Sequence, residues 1–428
     1  MKSLKRLRHS VLLKNTVWMF LGQGMRQVLR AAYFLIIPRA LGVEQYGLFV
    51  GVTSLAAVLA PYASLGLGNL LIKNVSRDRK LFRTYWGNSL LTTLVSGTAL
   101  IALMMAVSRF FFSGHVSWLL IFLVGISDLL FGKILDVGTQ AFQAFDLLGK
   151  TAWLNVLASL SRVFCAVALV TFYRHPDALA WTWLYLLATV ITTLAAIWWI
   201  NHTLGSPKLG LERIRPEFLE GCYFSVGLSS QSIYNDIDKT MLVQLSTLEA
   251  AGIYAAAYRL VDVAFLPIRS ILWAAYPNFF RHGAGGVRAS TRYARRLILR
   301  ASFCSVLTCL ALFFGAPIIP HLLGPEYARS VEALRWLSPL PLLKTLHYFV
   351  ADSLTGAGLQ GLRTAVQVGI AVFNVLLNLW LIPLYSWRGA AWSSLASDGM
   401  LAVGLWSLAY LLCRQENLHA LAANENPA

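Results

Sequence analysis

Charged side chains are scarce in this sequence. Only 13% of its 428 residues are Asp, Glu, Lys or Arg, while 57% are hydrophobic. Soluble domains usually carry about 25% charged residues, and a chain this apolar could not cover itself with polar surface. The composition therefore excludes an ordinary soluble protein and indicates one that lies within a lipid bilayer.

Residues and motifs that carry catalytic chemistry are also few. The sequence has eight His but no HExxH motif, and it has no Walker motif for binding a nucleoside triphosphate. None of its five Cys has the spacing of metal ligands, and all lie in or beside apolar runs, where free Cys acts as a small hydrophobe. We therefore predict no catalytic residues, no metal site and no cofactor, and interpret the protein as not an enzyme.

Long apolar runs, by contrast, recur along the whole chain. A helix of roughly 20 apolar residues crosses a bilayer, and twelve runs approach this length. The predicted spans are residues 12–38, 46–72, 86–108, 117–138, 152–172, 179–200, 219–245, 251–277, 299–319, 332–356, 363–383 and 390–412. The first is too long for the core of a signal peptide and is expected to stay in place. We therefore predict an all-α membrane protein of about 12 transmembrane helices.

Basic residues predict how these spans are oriented. With both termini placed in the cytoplasm, 22 Lys and Arg residues fall on inner segments and 5 on outer gaps, as the positive-inside rule requires. The net charge of +17 is thus concentrated in short loops between spans. This pattern predicts a membrane topology, and we predict no nucleic-acid partner.

The two halves of the chain share a short motif. Residues 41–49, after the first predicted span, and residues 246–254, after the seventh, place Glu, Gly and an aromatic residue at a constant offset of 205. Parallel repeats of six spans would put a substrate site between the halves near the bilayer midplane. The predicted organisation is an N-terminal six-helix half at 1–200, a cytoplasmic linker at 201–218, a C-terminal six-helix half at 219–412 and a cytoplasmic tail at 413–428.

Nine further Lys and Arg residues lie within predicted spans, where each costs roughly 2.5–3.5 kcal/mol at a helix centre. Lys14, Arg300 and Arg363, at or near span ends, are counted with the inner segments. Arg26 and Arg30 are four residues apart and share a helix face, and the first two spans contain no acidic residue. Arg259 and Arg269 lie on the eighth span. We predict that these four arginines face a central aqueous cavity, although Arg259 could instead pair with Asp262.

The seventh predicted span carries Asp236, Asp238 and Lys239, which must face a cavity or one another. A carboxylate here could carry a coupling H⁺ or Na⁺ or act in gating, and structural pairing of Asp236 with Lys239 is an equally good explanation. Asp128 and Arg162 lie at similar depth on the antiparallel fourth and fifth spans. We predict that they form a structural pair.

Several short motifs resemble those of one transporter family. They are LGVEQYGLF at 41–49, DK at 238–239, AGIY at 251–254, LGPEY at 323–327, LRWL at 334–337, Asn374 with Asn378, LIPLY at 381–385 and GAA at 389–391. In this order and spacing they resemble Wzx-type polysaccharide biosynthesis transporters of the multidrug/oligosaccharidyl-lipid/polysaccharide (MOP) exporter superfamily. The resemblance covers nearly the whole chain.

This resemblance implies a MATE-like fold that is V-shaped around a central cavity. It also implies a flippase of the bacterial inner membrane, which moves an undecaprenyl-diphosphate-linked oligosaccharide from the cytoplasmic to the periplasmic leaflet by alternating access. The product would serve O-antigen, capsule or exopolysaccharide synthesis, with membrane lipids, a polysaccharide polymerase and chain-length proteins as partners. Related lipid II flippases use cavity arginines, and by that resemblance Arg26, Arg30, Arg259 and Arg269 would hold the diphosphate.

Three other kinds of protein fit the sequence less well. A MATE-like drug/cation antiporter of the same superfamily would need acidic groups in the N-terminal half, and the first two spans have none. A membrane glycosyltransferase or O-antigen ligase would need catalytic acids and a sizeable periplasmic loop, whereas the predicted outer gaps are short. A purely structural scaffold would not account for the intramembrane cations.

Overall fold

The computed structural model describes residues 2–112, 116–210, 212 and 214–425. Within these ranges every regular element is helical, which confirms the all-α prediction. The chain divides into two compact units, Met1–Ser229 and Ser230–Ala428. The predicted division into halves, linker and tail stays a prediction, and positions 211, 213 and 426–428 of that linker and tail lie outside the described residues.

The first unit is built from helices of very different lengths. They are α1 (Lys2–Ala63), α2 (Leu67–Val75), α3 (Phe82–Phe111), α4 (Trp118–Gly125), α5 (Gly132–Ala144), α6 (Leu148–Phe172), α7 (Ala178–Leu204) and the start of α8 (Ile214–Leu245). A π-helical segment, Ile126–Phe131, joins α4 to α5. Such wide turns inside a helix often mark functional positions.

Two glycines break the first helices. At Gly42, φ is 73° and ψ is 170°, so α1 consists of two helical parts; glycine allows this left-handed φ because it lacks Cβ. The second part ends at Ala63, and Gly66 (φ 67°) leads into α2. The predicted span 46–72 is therefore interrupted by a turn. A Cβ on Gly66 would lie 2.6 Å from the Gly221 carbonyl oxygen, so the turn also needs glycine for close packing.

The core of the first unit lies between α2, α3, α5 and α7. Phe82, Trp86 and Phe142 are fully buried there with Leu70 and Ile200. The Trp86 indole N–H donates to the Asn201 side chain at 3.0 Å, so burying this ring leaves no unpaired donor.

The second unit contains the rest of α8 and the remaining helices. They are α9 (Leu248–Ala264), α10 (Leu266–Gly283), α11 (Val287–Gly315), α12 (Ile319–Leu323), α13 (Ser330–Leu337), α14 (Leu340–Gly356), α15 (Gln360–Tyr385) and α16 (Trp387–Glu425). The axes of α9 and α10 meet at 48° around Phe265. Pro267 explains the break, because proline is accommodated in the first turn of a helix and cannot continue a preceding one.

Within the described residues, eight helical segments are long and apolar enough to cross a membrane, or nine when α9 and α10 count as one bent span. The segment Gly24–Ala63 is one of them, although Gly42 divides it. The predicted seventh and tenth spans coincide with α8 and α14, which are helical but are not among these segments. The helix α8 carries three charges close together, and α14 has only 17 residues, Lys344 and Asp352 among them. The chain is a multi-pass helical membrane protein, and twelve spans remain a prediction.

Candidate functional site

The second unit contains an open polar cavity of about 530 Å³. Four of its helices, α8, α10, α14 and α15, and the end of α9 contribute charged or aromatic side chains. The lining residues are Gln231, Asn235, Asp236, Tyr258, Asp262, Phe265, Arg269, Leu272, Trp273, Tyr276, Lys344, Tyr348, Asp352 and Arg363. Three carboxylates and three cations in one cavity within apolar helices are costly unless they pair or meet water.

The charges of α8 separate into two environments. Asp236 faces the cavity, and Lys239 Nζ lies 2.7 Å from its Oδ1. The same ammonium donates to the Asn235 carbonyl oxygen and lies 4.1 Å from the centre of the Tyr258 ring. Asp238 is only 1% exposed and points elsewhere. The predicted pairing of Asp236 with Lys239 is therefore present.

Asp238 forms the centre of a second, buried polar cluster. Its carboxylate accepts hydrogen bonds from the Tyr254 hydroxyl on α9 and, at 3.0 Å, from the Ser394 hydroxyl on α16. The Lys239 backbone N–H donates to its other oxygen at 2.8 Å. Asp238 thus ties three helices of the second unit together.

Lys344 adds a buried cation at the cavity wall. Its ammonium donates to the Asn235 side-chain oxygen and to the Tyr258 hydroxyl, each at 2.8 Å, and it is 2% exposed. Tyr258 therefore contacts both Lys239, through its ring, and Lys344, through its hydroxyl. Two ammonium groups held this close favour a neighbouring anion.

Two further pairs line the cavity. Arg269 on α10 lies 4.0 Å from Asp262 on α9, across the break at Phe265. Arg363 on α15 donates to Asp352 on α14 at 3.2 Å and to the Thr355 hydroxyl. Arg269 and Asp262 are each about one-third exposed, so this loose pair leaves the guanidinium open to a ligand.

Two aromatic side chains border the same charges. Trp273 is 54% exposed and Tyr276 is 40% exposed, and both line the cavity one and two turns beyond Arg269 on α10. Flat, accessible rings beside carboxylates and amide groups suit a polyhydroxylated ligand, because the ring packs on C–H groups while the polar groups bind hydroxyls.

The first unit holds a separate cluster around Arg26. Arg26 and Arg30 on α1 are both half-buried. Arg26 interacts electrostatically with Asp136 on α5 and with Arg162 on α6, and Arg30 also interacts with neighbouring groups. The first two predicted spans contain no acidic residue, and the acidic neighbour of Arg26 comes from a later helix, α5.

Asp128 and Arg162 are joined through Tyr185. The Tyr185 hydroxyl donates to Asp128 at 2.8 Å, and the Arg162 guanidinium lies 4.9 Å from the centre of the same ring. Asp128 lies in the π-helical segment, so the wide turn positions a carboxylate towards α7. The two charges also attract each other directly.

The structure brings only some of the predicted site residues together. Arg269 and Asp236 line one cavity, and Lys239 forms an ion pair with Asp236. Among the described residues that line this cavity, Arg259 is not included; it is half-buried on α9, and Asp262 contacts Arg269 instead. Arg26, Arg30, Asp128 and Arg162 belong to the first unit.

Several residues of the second unit were missed by the sequence analysis. They are Asp352 and Arg363, the aromatic residues Trp273 and Tyr276, and the buried pair His347–Asp398, whose atoms Nε2 and Oδ1 lie 2.7 Å apart. The insertion cost that marks the intramembrane cations applies equally to Asp352 and Asp398, which lie within the tenth and twelfth predicted spans.

Comparison with known proteins identifies relatives of the chain. Residues 12–282 match the family described as "Polysaccharide biosynthesis protein". A probable low-salt glycan biosynthesis flippase, Agl15, of Haloferax volcanii is 22% identical over 386 residues, covering 89% of this chain and 79% of the relative. An uncharacterized membrane protein of Methanocaldococcus jannaschii is 21% identical over 399 residues, covering 87% and 78%.

Solved structures share the fold at lower identity. A multidrug resistance MATE family transporter of the MOP superfamily, in an inward-facing conformation, superposes with a TM-score of 0.71 at 17% identity, over 96% of this chain and 100% of that one. A MOP superfamily transporter from Pyrococcus furiosus gives 0.57 at 14% identity, over 94% and 95%. Because the family match covers more than half of the chain, this protein belongs to the polysaccharide biosynthesis protein family and has the fold of MOP-superfamily transporters.

Proposed function

We propose that this protein is a flippase for a lipid-linked oligosaccharide. The proposed cargo is an undecaprenyl-diphosphate-linked sugar unit, moved by alternating access from the cytoplasmic to the periplasmic leaflet of a bacterial inner membrane. The observation that carries the proposal is the cavity of the second unit, in which Arg269 and Arg363 lie beside Trp273 and Tyr276 within apolar helices. The relative described as a glycan biosynthesis flippase supports the same class of cargo.

The chemistry of such a cargo fits these residues. The diphosphate is the group most costly to move through hydrocarbon, and guanidinium groups can solvate it by paired, charge-assisted hydrogen bonds. Arg269, held only loosely by Asp262 at 4.0 Å, can exchange that partner for phosphate oxygen. Arg26, Arg30 and Arg259 would support the diphosphate at other points of the path, and Asp128 with Arg162 would serve a structural role.

Asp236, Asp238 and Lys239 are the proposed coupling or gating residues. Asp236 faces the cavity and Asp238 holds α8 to α9 and α16. Binding of H⁺ or Na⁺ to a carboxylate here would change the pairing of Lys239 and thereby the packing of α8. The proposed topology has twelve spans, with both termini in the cytoplasm. A polysaccharide polymerase and chain-length proteins are the proposed partners in O-antigen, capsule or exopolysaccharide synthesis.

A drug/cation antiporter is the alternative to this proposal. The fold is shared with multidrug MATE transporters, so the fold alone does not separate the two functions. The family match to polysaccharide biosynthesis proteins favours the flippase, as do the cations that line the cavity together with its carboxylates.

The test is transport by the purified protein in proteoliposomes. The substrates are a fluorescent polyprenyl-diphosphate oligosaccharide and, for the antiporter, a lipophilic cationic dye driven by an H⁺ or Na⁺ gradient. The double variant Arg26→Ala/Arg30→Ala and the single variant Arg269→Ala should each slow transport of the glycolipid by at least about tenfold, because each removes charge-assisted hydrogen bonds. Lys at these positions should retain part of the rate.

The matched control is Arg39→Ala/Arg174→Ala, which removes two exposed arginines from the predicted outer gaps. It should transport at the wild-type rate. Full activity of Arg26→Ala/Arg30→Ala at equal protein amount would refute the proposal that these two arginines hold the diphosphate. If the variant lowers the amount of folded protein and the remaining protein is fully active, the two arginines have a structural role. Transport of the dye without transport of the glycolipid would favour the antiporter.

A further inference from the structure

A second basic cavity lies in the second unit, between the start of α11 and the last turns of α16. Its volume is about 360 Å³. The residues that line it are Arg288, Thr291, Arg292, Arg295, Tyr410, Cys413, Arg414 and Asn417. None of them lines the larger cavity described above, so the proposed transport function leaves these four arginines unexplained.

The spacing of these residues forms two facing helical stripes. On α11, Arg288, Arg292 and Arg295 follow one another at intervals of four and three residues, which places them on one face. On α16, Tyr410, Arg414 and Asn417 repeat the same intervals. The stripes converge where the Arg288 guanidinium donates to the Asn417 side chain at 2.8 Å.

One carboxylate beside Arg288 is already engaged in a hydrogen bond. Glu416 accepts a hydrogen bond from the Arg288 backbone N–H at 2.9 Å, so it satisfies the start of α11. Arg295 lies over the Trp406 ring at 5.6 Å. Among the residues that the structure describes, neither Arg292 nor Arg414 is in a salt bridge. Four guanidinium groups around one cavity repel one another unless an anion lies between them.

The positive-inside rule sets the orientation of the helices by the number of cations on each side, and it does not require arginines of two helices to meet. Arg296 and Arg300 lie on the same helix, are equally exposed, and do not line the cavity. They would serve a positive-inside rule as well as Arg292 does. The positive-inside rule therefore does not explain why arginines from two helices line one cavity.

Apolar surface continues directly from the cavity. On α11, Leu299 is 77% exposed and Phe303 is 67% exposed; on α16, Val403 is 69% exposed. Tyr410 is 61% exposed and lies between Val403 and Arg414 along α16. Tyrosine is enriched where apolar and polar surfaces of membrane proteins meet. A ligand with a phosphate and attached acyl chains would match both surfaces, whereas free phosphate would match only the basic one.

We propose that this cavity binds the phosphate headgroup of an anionic phospholipid, with its acyl chains along the exposed apolar faces of α11 and α16. Arg292 and Arg414 hold the phosphate from opposite helices, Arg288 is positioned by Asn417, and Tyr410 lies beside the glycerol. Basic pockets between transmembrane helices recognise acidic lipids by this chemistry. The proposal is independent of the transported cargo.

The test measures lipid binding to the full-length purified protein by native mass spectrometry, with dioctanoyl phosphatidylglycerol as the probe. Dioctanoyl phosphatidylcholine tests the need for negative charge, and inorganic phosphate and pyrophosphate test the need for acyl chains. We expect phosphatidylglycerol to bind and the three other compounds to bind at least about tenfold more weakly.

The decisive variants are Arg292→Gln/Arg414→Gln and its matched control, Arg296→Gln/Arg300→Gln, which removes two arginines from α11 outside the cavity. The first should weaken phosphatidylglycerol binding roughly 30-fold, and the control by less than about threefold. The single variant Arg414→Gln, expected to bind about fivefold more weakly, replaces the double variant if that one does not fold. Equal losses in both double variants, equal binding of phosphatidylcholine, or equal binding of free phosphate would each overturn the proposal.

Discussion

The ion pair between Asp352 and Arg363 offers a quantitative test of the cavity wall. Arg363 is 13% exposed and Asp352 is 9% exposed, and the pair joins the end of α14 to the start of α15. Arg363 also donates to the Thr355 hydroxyl at 2.7 Å. Replacing Arg363 by Met keeps the volume of the side chain but leaves the Asp352 carboxylate buried and unpaired.

The expected loss of unfolding free energy follows from the cost of leaving a buried charge without its partner. Removing one partner of a buried ion pair typically costs about 3–5 kcal/mol. Asp352 also lines the cavity, so some water can reach it, and we expect a value near the lower end, about 3 kcal/mol. For a unit of about 200 residues, this would lower Tm by roughly 6–12 °C.

Thermal unfolding in detergent, followed by fluorescence-detected gel filtration, measures the effect. The double variant Asp352→Leu/Arg363→Met should recover at least about half of the loss, because apolar replacement removes the unpaired charge as well. The control is Arg388→Met. Arg388 makes two hydrogen bonds to Glu332, at 3.0 and 3.1 Å, but is 51% exposed, so its removal should cost only about 0–1 kcal/mol. Equal shifts for Arg363→Met and Arg388→Met would refute the reasoning.

Two further outcomes are expected. Reporter fusions after Lys80 and after Arg292 should lie in the cytoplasm and one near Gly324 in the periplasm; outside labelling of the segment Arg292–Arg300 would reject the topology of two sets of six spans. Gly66→Ala should destabilise the protein more than Gly358→Ala. Both positions have positive φ, which costs alanine about 1–2 kcal/mol, but only at Gly66 does a Cβ meet backbone, and open space surrounds Gly358. Equal Tm shifts would show that the contact with Gly221 is unimportant.

The sequence predicted the fold class because insertion into a bilayer leaves few alternatives. Apolar runs of span length must be helical when backbone groups have no water to bind, and the described residues are helical throughout. The positions of breaks were harder to predict. Gly66 interrupts the second predicted span through positive φ, which apolar composition does not reveal, whereas Gly42 lies in the predicted gap between the first two spans.

Insertion cost also identified part of the cavity, but it did not identify the partners. The interval of three residues from Arg259 to Asp262 suggested a pair on one helix. Because the helix breaks at Phe265, Asp262 contacts Arg269 of the following helix. Arg363 lies at the start of a predicted span and is counted there with an inner segment, although its side chain lines the cavity. Such contacts depend on which helices meet, and a single sequence does not contain that information.

The charges of α8 show how a short motif can act on a whole unit. Asp236 and Asp238 are two residues apart, so they point to nearly opposite sides of the helix. One therefore meets the cavity, while the other binds Tyr254 and Ser394 on two other helices. The Lys239 ammonium lies 2.7 Å from Asp236 and 3.9 Å from Asp238. In the proposed coupling role, protonation of Asp236 would weaken its attraction for Lys239 and leave Asp238 as the nearer charged partner of this ammonium. The contacts that Asp238 makes would then carry the change from the cavity to α9 and α16.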